Sequence, residues 1–297
     1  AVHPFAGEVR DDVLWGRGAV DMKDMDAMIL AVVRDLVRAG RRPPRDLVVA
    51  FFADEEAGGV HGARYAVDRR PELFEGASEA ISEVGGFSVD VAGRRAYLLQ
   101  TAEKGIAWLR LVAEGRAGHG SAVNPENAVT ELAAAVARIG AHPWPMRLTP
   151  TVQALLRGVA DLTGLPYDPA DEAAVDRLVE ALGPARRFVG ATLRTTANPT
   201  RLTAGYKTNV VPGRASAEID VRFLPGEDDA ARATVAELAG PGVRVEEIHT
   251  DVALETPFAG SLVDAMAGAL VAEDPGAVVL PYALSAGTDN KSLSRLG

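Results

Sequence analysis

Apolar residues recur at helical spacing over residues 22–39, at Met25, Met28, Ile29, Val32, Val33 and Leu36. The series stops at Gly40, which predicts an amphipathic helix closed by a glycine. After the turn-rich segment Arg41–Arg45 the pattern changes to an unbroken apolar run, Leu47-Val48-Val49-Ala50-Phe51-Phe52. Such a run predicts a strand buried on both faces, the kind found in parallel sheets flanked by helices. Arg64–Val67 reads as part of another helix, and Ala80–Ser82 as the end of a second buried strand. Strand, helix, strand is the rhythm of an α/β domain.

The rhythm changes near Lys104. Ile106–Val112 predicts a strand, and Pro125–Ile139 an Ala-rich helix opened by the Asn124-Pro125 pair. Residues 145–188 are punctuated by prolines and charges, with helical pieces at Val152–Leu156 and Ala173–Leu182. Alternation returns at Ala215–Phe223, with Ala217, Ile219, Val221 and Phe223 on one face. A helix at Asp228–Leu238 and a strand at Val243–Ile248 follow, then a buried helix at Leu262–Val271. The simplest organisation is an α/β domain of residues 1–103 and 256–297, interrupted by an inserted α+β domain of residues 104–255.

Composition narrows the classes of function. The 297 residues are 47% hydrophobic and 24% charged, as in a soluble globular protein, and the net charge is −10. Only four lysines are present and no basic cluster is interleaved with aromatics, so no nucleic-acid or anionic membrane partner is expected. No apolar window is long enough to span a bilayer. The absence of cysteine excludes disulfides, iron–sulfur clusters and thiol chemistry, and a cytoplasmic location is expected.

Three acidic positions fall where an open α/β sheet puts its active site, beyond the carboxyl ends of strands. The apolar run ends in Asp54-Glu55-Glu56, and the second strand ends at Glu83-Val84-Gly85-Gly86. Asp21 closes Gly16-Arg17-Gly18-Ala19-Val20-Asp21-Met22-Lys23 at the start of a helix, as either an N-cap or a ligand. Clustered carboxylates repel one another unless a cation neutralises them, and oxygen donors suit hard cations. Adjacent glutamates such as Glu55 and Glu56 can divide the work, one ligating a metal and one moving a proton. His3, His142 and His249 sit in loops or at strand ends without acidic or histidine partners at metal spacing, and these three and His61, in the turn after the acidic pair, read as structural.

These motifs, followed by Gly118-His119-Gly120-Ser121, resemble a family of co-catalytic zinc metallopeptidases. It includes aminoacylase, carboxypeptidase G, succinyl-diaminopimelate desuccinylase and many bacterial dipeptidases. The resemblance runs over essentially the whole chain. It implies a mixed, mostly parallel catalytic sheet domain interrupted by a ferredoxin-like α+β domain serving as lid and dimer contact. It implies two divalent metal ions, zinc first with cobalt or manganese as substitutes. Asp21 would bridge them, Glu56 would bind one and Glu83 the other. Glu55 would be the general base, and His119 would reach a neighbouring subunit's site and stabilise the oxyanion. Asn209, in Thr208-Asn209-Val210-Val211-Pro212, and Arg222, in Asp220-Val221-Arg222, match substrate-holding positions, the arginine for a carboxylate. Gly287-Thr288-Asp289 matches the late active-site loop, with Ala286 where a glycine is common.

The family pattern also has a His-x-Asp motif upstream of the segment seen here as His3-Pro4-Phe5, and a late His-Gly segment. Neither stands at its expected place in the sequence, the first before His3 or the second after Gly287-Thr288-Asp289. The expectation is a chain truncated at both ends, with three carboxylate ligands left and a weakened preference for zinc. The predicted activity is metal-dependent hydrolysis of an amide or peptide bond in a small carboxylate-bearing substrate, a dipeptide or N-acyl amino acid, by a homodimer joined through residues 104–255. The competing readings on the same fold are a catalytically inactive small-molecule binding protein and a dimerisation protein.

Overall fold

The computed structural model describes residues 2–297. They divide into two compact units, one ending at Glu83 and resuming at Thr288–Gly297, the other Val84–Gly287.

In the first unit β1 (Glu8–Arg10) pairs antiparallel with β2 (Val13–Trp15). Asp11 and Asp12 both have positive φ (51° and 59°), the geometry of a two-residue hairpin turn whose twist matches its strands. Helix α1 (Lys23–Arg38) ends as its pattern predicts. Gly40 takes φ +64° while Arg41 N donates to Leu36 O (3.0 Å), so the last carbonyls are satisfied. α2 (Ala63–Arg69) buries Ala63 and Val67, and a short helix lies at Asn290–Leu293.

The run Leu47–Phe52 is not a strand. It is extended without a ladder partner among the described residues, and Leu47 and Val48 are each 58% exposed. Ala80–Ser82 likewise lies outside any strand. Hydrophobic content measures what a segment gains by burial, whereas a strand also needs a neighbour to take its N–H and C=O groups.

The second unit contains two cores. β3 (Ser88–Val91) turns into the long β4 (Arg94–Glu103), which continues through Lys104 into β5 (Gly105–Glu114). The two-residue β6 (Gly118–His119) precedes α3 (Ala128–Ala141), whose N-cap Asn127 accepts from Val129 N. α4 (Pro150–Thr163), α5 (Glu172–Glu180) and α6 (Arg186–Gly190) follow, then β7 (Thr196–Ala204), β8 (Val210–Val211) and β9 (Arg214–Phe223). The unit closes with α7 (Asp228–Ala239), β10 (Val243–Asp251), β11 (Leu254–Glu255), α8 (Ser261–Glu273) and β12 (Val278–Leu284).

β5, β7, β9 and β10 form an antiparallel sheet in the order β10-β5-β9-β7. With α3 and α7 this is the ferredoxin-like βαββαβ arrangement. The alternation of β9 is realised: Ala217, Ile219, Val221 and Phe223 are buried with α3 and α7, while Glu218, Asp220 and Arg222 lie on the other face. The other sheet is mixed. β4 is central, parallel to β12 on one side and antiparallel to β3 and β11 on the other. Pro281 is tolerated because β12 is an edge strand. The helices α4 to α6 pack on this sheet through Val152, Leu156, Val159, Leu178 and Val189 against Leu98 and Leu280. α8, expected to be buried, has no buried residue.

Phe87, Phe188 and Tyr282 meet edge to face at 5.4–5.7 Å between ring centres. Burial, with Glu103 nearby, pushes the Tyr282 phenol up to about 12. The unfolded chain ionises this tyrosine near 10, so the stability it lends should fall as pH rises from 10 towards 12. Alkaline unfolding followed by phenolate absorbance should show a late-titrating tyrosine that Tyr282→Phe removes.

Candidate functional site

Asp54 shapes the acidic turn. It adopts φ 75°, a conformation aspartate tolerates better than most residues. Its carbonyl accepts from Ala57 N (3.1 Å) and Gly59 N (2.8 Å), and its carboxylate Oδ2 accepts from His61 N (2.8 Å). The chain between them forms a 3-10 turn, Glu55–Ala57. Successive side chains in such a turn diverge by about 120°. Glu56 is exposed and Glu55 half-buried.

Two glycines allow the turn to close. Gly62 packs its Cα so near Ala53 that a Cβ would stand 1.8 Å from Ala53 O. Gly59, at φ +63°, leaves room for the Asp289 carboxylate, which would lie 3.2 Å from an added Cβ. The late Gly-Thr-Asp loop therefore meets the acidic turn through Asp289. Thr288 is buried and its Oγ1 accepts from Asn290 N (3.2 Å). Gly62→Ala must push backbone from backbone, and should cost about 1–3 kcal/mol in urea unfolding.

Asp21 and Glu56, far apart in sequence, line one open cleft of about 450 Å³ together with His3, Pro4, Trp15 and Gly16–Val20. Asp21 does not cap α1: the N-cap is Met22, with no side-chain capping bond, and Lys23 N is taken by Gly18 O (2.8 Å). Its carboxylate is thereby left to the cleft. Glu83 is half-buried at the end of its segment. Among the described residues no three Asp, Glu or His side chains gather closely enough to hold a metal ion. Two carboxylates at one cleft fall short of the four ligands a zinc ion takes.

A second group lies in the other unit. β6 pairs with β8, placing His119 opposite Val210, and Gly120 N donates to Asn209 O (2.9 Å). A Cβ on Gly120 would touch the Asn209 backbone at 3.4 Å. His119 and Asn209, 90 positions apart in number, thus sit side by side on one ribbon. Ser121 N donates to His119 Nδ1 (3.3 Å), and Ser121 Oγ lies 2.8 Å from it. With Nδ1 accepting, a neutral ring carries its proton on Nε2, which has no partner among the described residues.

Arg222 stands on the open face of the ferredoxin-like sheet, half-buried, with Nε and Nη2 donating to Asp220 (2.7 and 3.1 Å). Gly287 closes this unit. Lys104, which sequence reasoning passed over, is buried near Arg222. Nothing in its sequence neighbourhood signals this, because the groups that surround it come from residues 191–227.

Residues 101–242 match the family described as a peptidase dimerisation domain, and residues 10–121 match peptidase family M28. The chain is 27% identical to a probable carboxypeptidase S-like 2 of Dictyostelium discoideum, over 97% of this chain and 57% of that protein. It is 30% identical to the N-fatty-acyl-amino acid synthase/hydrolase PM20D1 of Xenopus tropicalis, over 76% of this chain and 45% of that protein. A metallo-carboxypeptidase of the M20 family from Sulfolobus solfataricus has the same fold, with TM-score 0.66 at 19% identity, over 100% of this chain and 70% of the other. These matches make the chain similar to peptidases of the M20 type. It spans about half the length of the curated relatives it matches. Among the described residues no helix is long and apolar enough to cross a membrane.

Proposed function

We propose that this chain is part of an M20-type, metal-dependent hydrolase that cleaves an amide or peptide bond in a small substrate bearing a free carboxylate. Dipeptides and N-acyl amino acids are the candidate classes. The observation that carries the proposal is the shared cleft of Asp21 and Glu56, two residues from separate motifs brought together beside Glu55. Metal dependence, with two divalent ions of which zinc is the first candidate, comes to the proposal from the family, as does the assignment of Asp21, Glu56 and Glu83 as ligands.

In this reading Glu55 takes the proton of the attacking water and delivers it to the leaving amine. His119, whose Nδ1 is engaged by Ser121, donates to the oxyanion in a neighbouring subunit's site, and Asn209 beside it holds the substrate. Arg222 reads the substrate carboxylate with the donors that Asp220 leaves over. Gly287, Thr288 and Asp289 complete the substrate loop. Residues 104–255 act as lid and homodimer contact, and residues 1–103 with 256–297 as the catalytic domain.

The test is hydrolysis of a panel of N-acetyl amino acids, N-fatty-acyl amino acids and dipeptides, each with and without its carboxylate amidated. Expected is turnover of at least one class, lost on amidation and on chelation, and restored by added zinc or cobalt. Binding of these compounds with no turnover in the metal-loaded protein would replace the proposal with a binding function.

A further inference from the structure

Lys104 is 1% exposed, and no step of the proposed hydrolysis uses it. It occupies the junction where β4 leaves the mixed sheet and β5 enters the ferredoxin-like one. Its Nζ donates to Ala191 O (3.0 Å), Arg194 O (2.8 Å) and Thr196 Oγ1 (3.3 Å). Its backbone N–H donates to Leu284 O (2.8 Å) at the end of β12. The acceptors of Nζ lie on another crossing between the same two cores. Leu193 belongs to the core under the mixed sheet and Ala197 to the ferredoxin-like core. One ammonium therefore ties two crossings together.

The tie ends beside Arg222. Thr196 is the register partner of Arg222 across β7 and β9. The charged groups around Nζ are Arg222 and Asp220 from β9 and Glu227 from the loop that follows it. Glu227 is itself held by Arg147 (2.6 Å) and by Thr195 Oγ1 (3.0 Å), and Glu103 precedes Lys104 in the chain. Burial brings the Lys104 amine down to about 7. The Arg222 charge pushes the same way, while Asp220 and Glu227 oppose it.

We propose that Lys104 is a positioning residue that links a proton to the ligand of Arg222: it holds Thr196 beside the guanidinium, and a carboxylate taken by Arg222 makes the ammonium keep its proton. The physical cause is charge cancellation. An anion at Arg222 removes part of the repulsion that favours the neutral amine. Reciprocity then requires that the anion bind more tightly when Lys104 is charged. The inference rests on the reading of Arg222 as the carboxylate site.

The experiment uses the chain labelled with ¹³C at the lysine ε-carbons, only four of which exist. The Lys104 signal is assigned by its loss in Lys104→Met and is titrated with and without N-acetyl-L-leucine. Calorimetry gives the affinity for that probe at pH values on either side of the midpoint. The midpoint should rise by about half a unit to one unit on binding, and affinity should fall about three- to tenfold across the midpoint in the unaltered protein. Lys104→Met should abolish that fall, and Lys104→Arg, which keeps its charge, should bind well on both sides. Binding with an unmoved Lys104 midpoint overturns the coupling while leaving Arg222 as the carboxylate site. Binding that is absent, or undiminished in Arg222→Ala, overturns the Arg222 reading and the coupling with it. The Lys104 signal is lost equally in Lys104→Arg, so where Lys104→Met fails to fold the assignment stands and the wild-type titration decides.

Discussion

Glu55→Gln should lower turnover about 10²- to 10⁴-fold while leaving substrate affinity within a few-fold, because it removes a proton acceptor and keeps the shape. Asp54 spends its carbonyl and its carboxylate on Ala57, Gly59 and His61, so it is committed to holding the loop. Of the two glutamates that follow, Glu56 faces the cleft with Asp21. The 3-10 geometry turns Glu55 away from its neighbour and leaves it half-buried. The measurement is kcat and KM for the best substrate of the panel, in wild type and in Glu55→Gln and Glu56→Gln. A parallel loss in kcat with KM held identifies the base. Wild-type turnover in Glu55→Gln would remove it from the mechanism, and metal content measured on both variants separates a lost base from a lost ligand.

Most of the ferredoxin-like half was legible because its elements carry their own evidence, the strand β7 (Thr196–Ala204) excepted. The alternation of β9 names its buried face and the Ala-rich face of α3 names what that helix covers, although the helix opens at Ala128 behind an Asn127 cap and not at Pro125 as expected. The mixed sheet was not legible. β4 and β12 are nearly featureless as patterns, and their parallel pairing joins Ala96 to Val278 across most of the chain. The run Leu47–Phe52 failed in the opposite direction: its composition is that of a buried strand, yet a ladder needs a partner that composition does not contain. α8 also departs from its expectation: it lies against β12 yet buries none of its residues, so apolar content alone does not bury a helix.

The candidate site divides in the same way. Asp21, Glu55, Glu56 and His119 stood out as motif residues, and the pairing of Asp21 with Glu56 at one cleft is a matter of where the two turns meet. The adjacency of His119 and Asn209 depends on a two-residue ribbon too short to have any periodicity. Lys104 had no motif at all. Its significance comes from being enclosed, and enclosure is a property of the assembled chain.

That enclosure predicts a stability profile with an unusual sign. In the unfolded chain Lys104 holds its proton to about 10.5, whereas in the fold it does so only to about 7. Below pH 7 both states are protonated and the cost of burying the charge is borne in full. As pH rises from 7 to 10.5 the folded state sheds the proton and the unfolded state keeps it, so this lysine makes the protein more stable with rising pH. The full difference corresponds to about 5 kcal/mol, of which about 2–3 kcal/mol should appear between pH 7 and pH 9. Urea unfolding of wild type and Lys104→Met over that range isolates the term, because every other titrating group is common to both. The wild-type free energy should climb relative to the variant as pH rises. Lys104→Met loses the tie to Ala191 and Arg194 at every pH, so its offset is constant and only the slope reports the proton. Parallel profiles would mean that the ammonium keeps its charge inside the fold, held by acceptors that include Ala191 O, Arg194 O and Thr196 Oγ1 against the cost of burial.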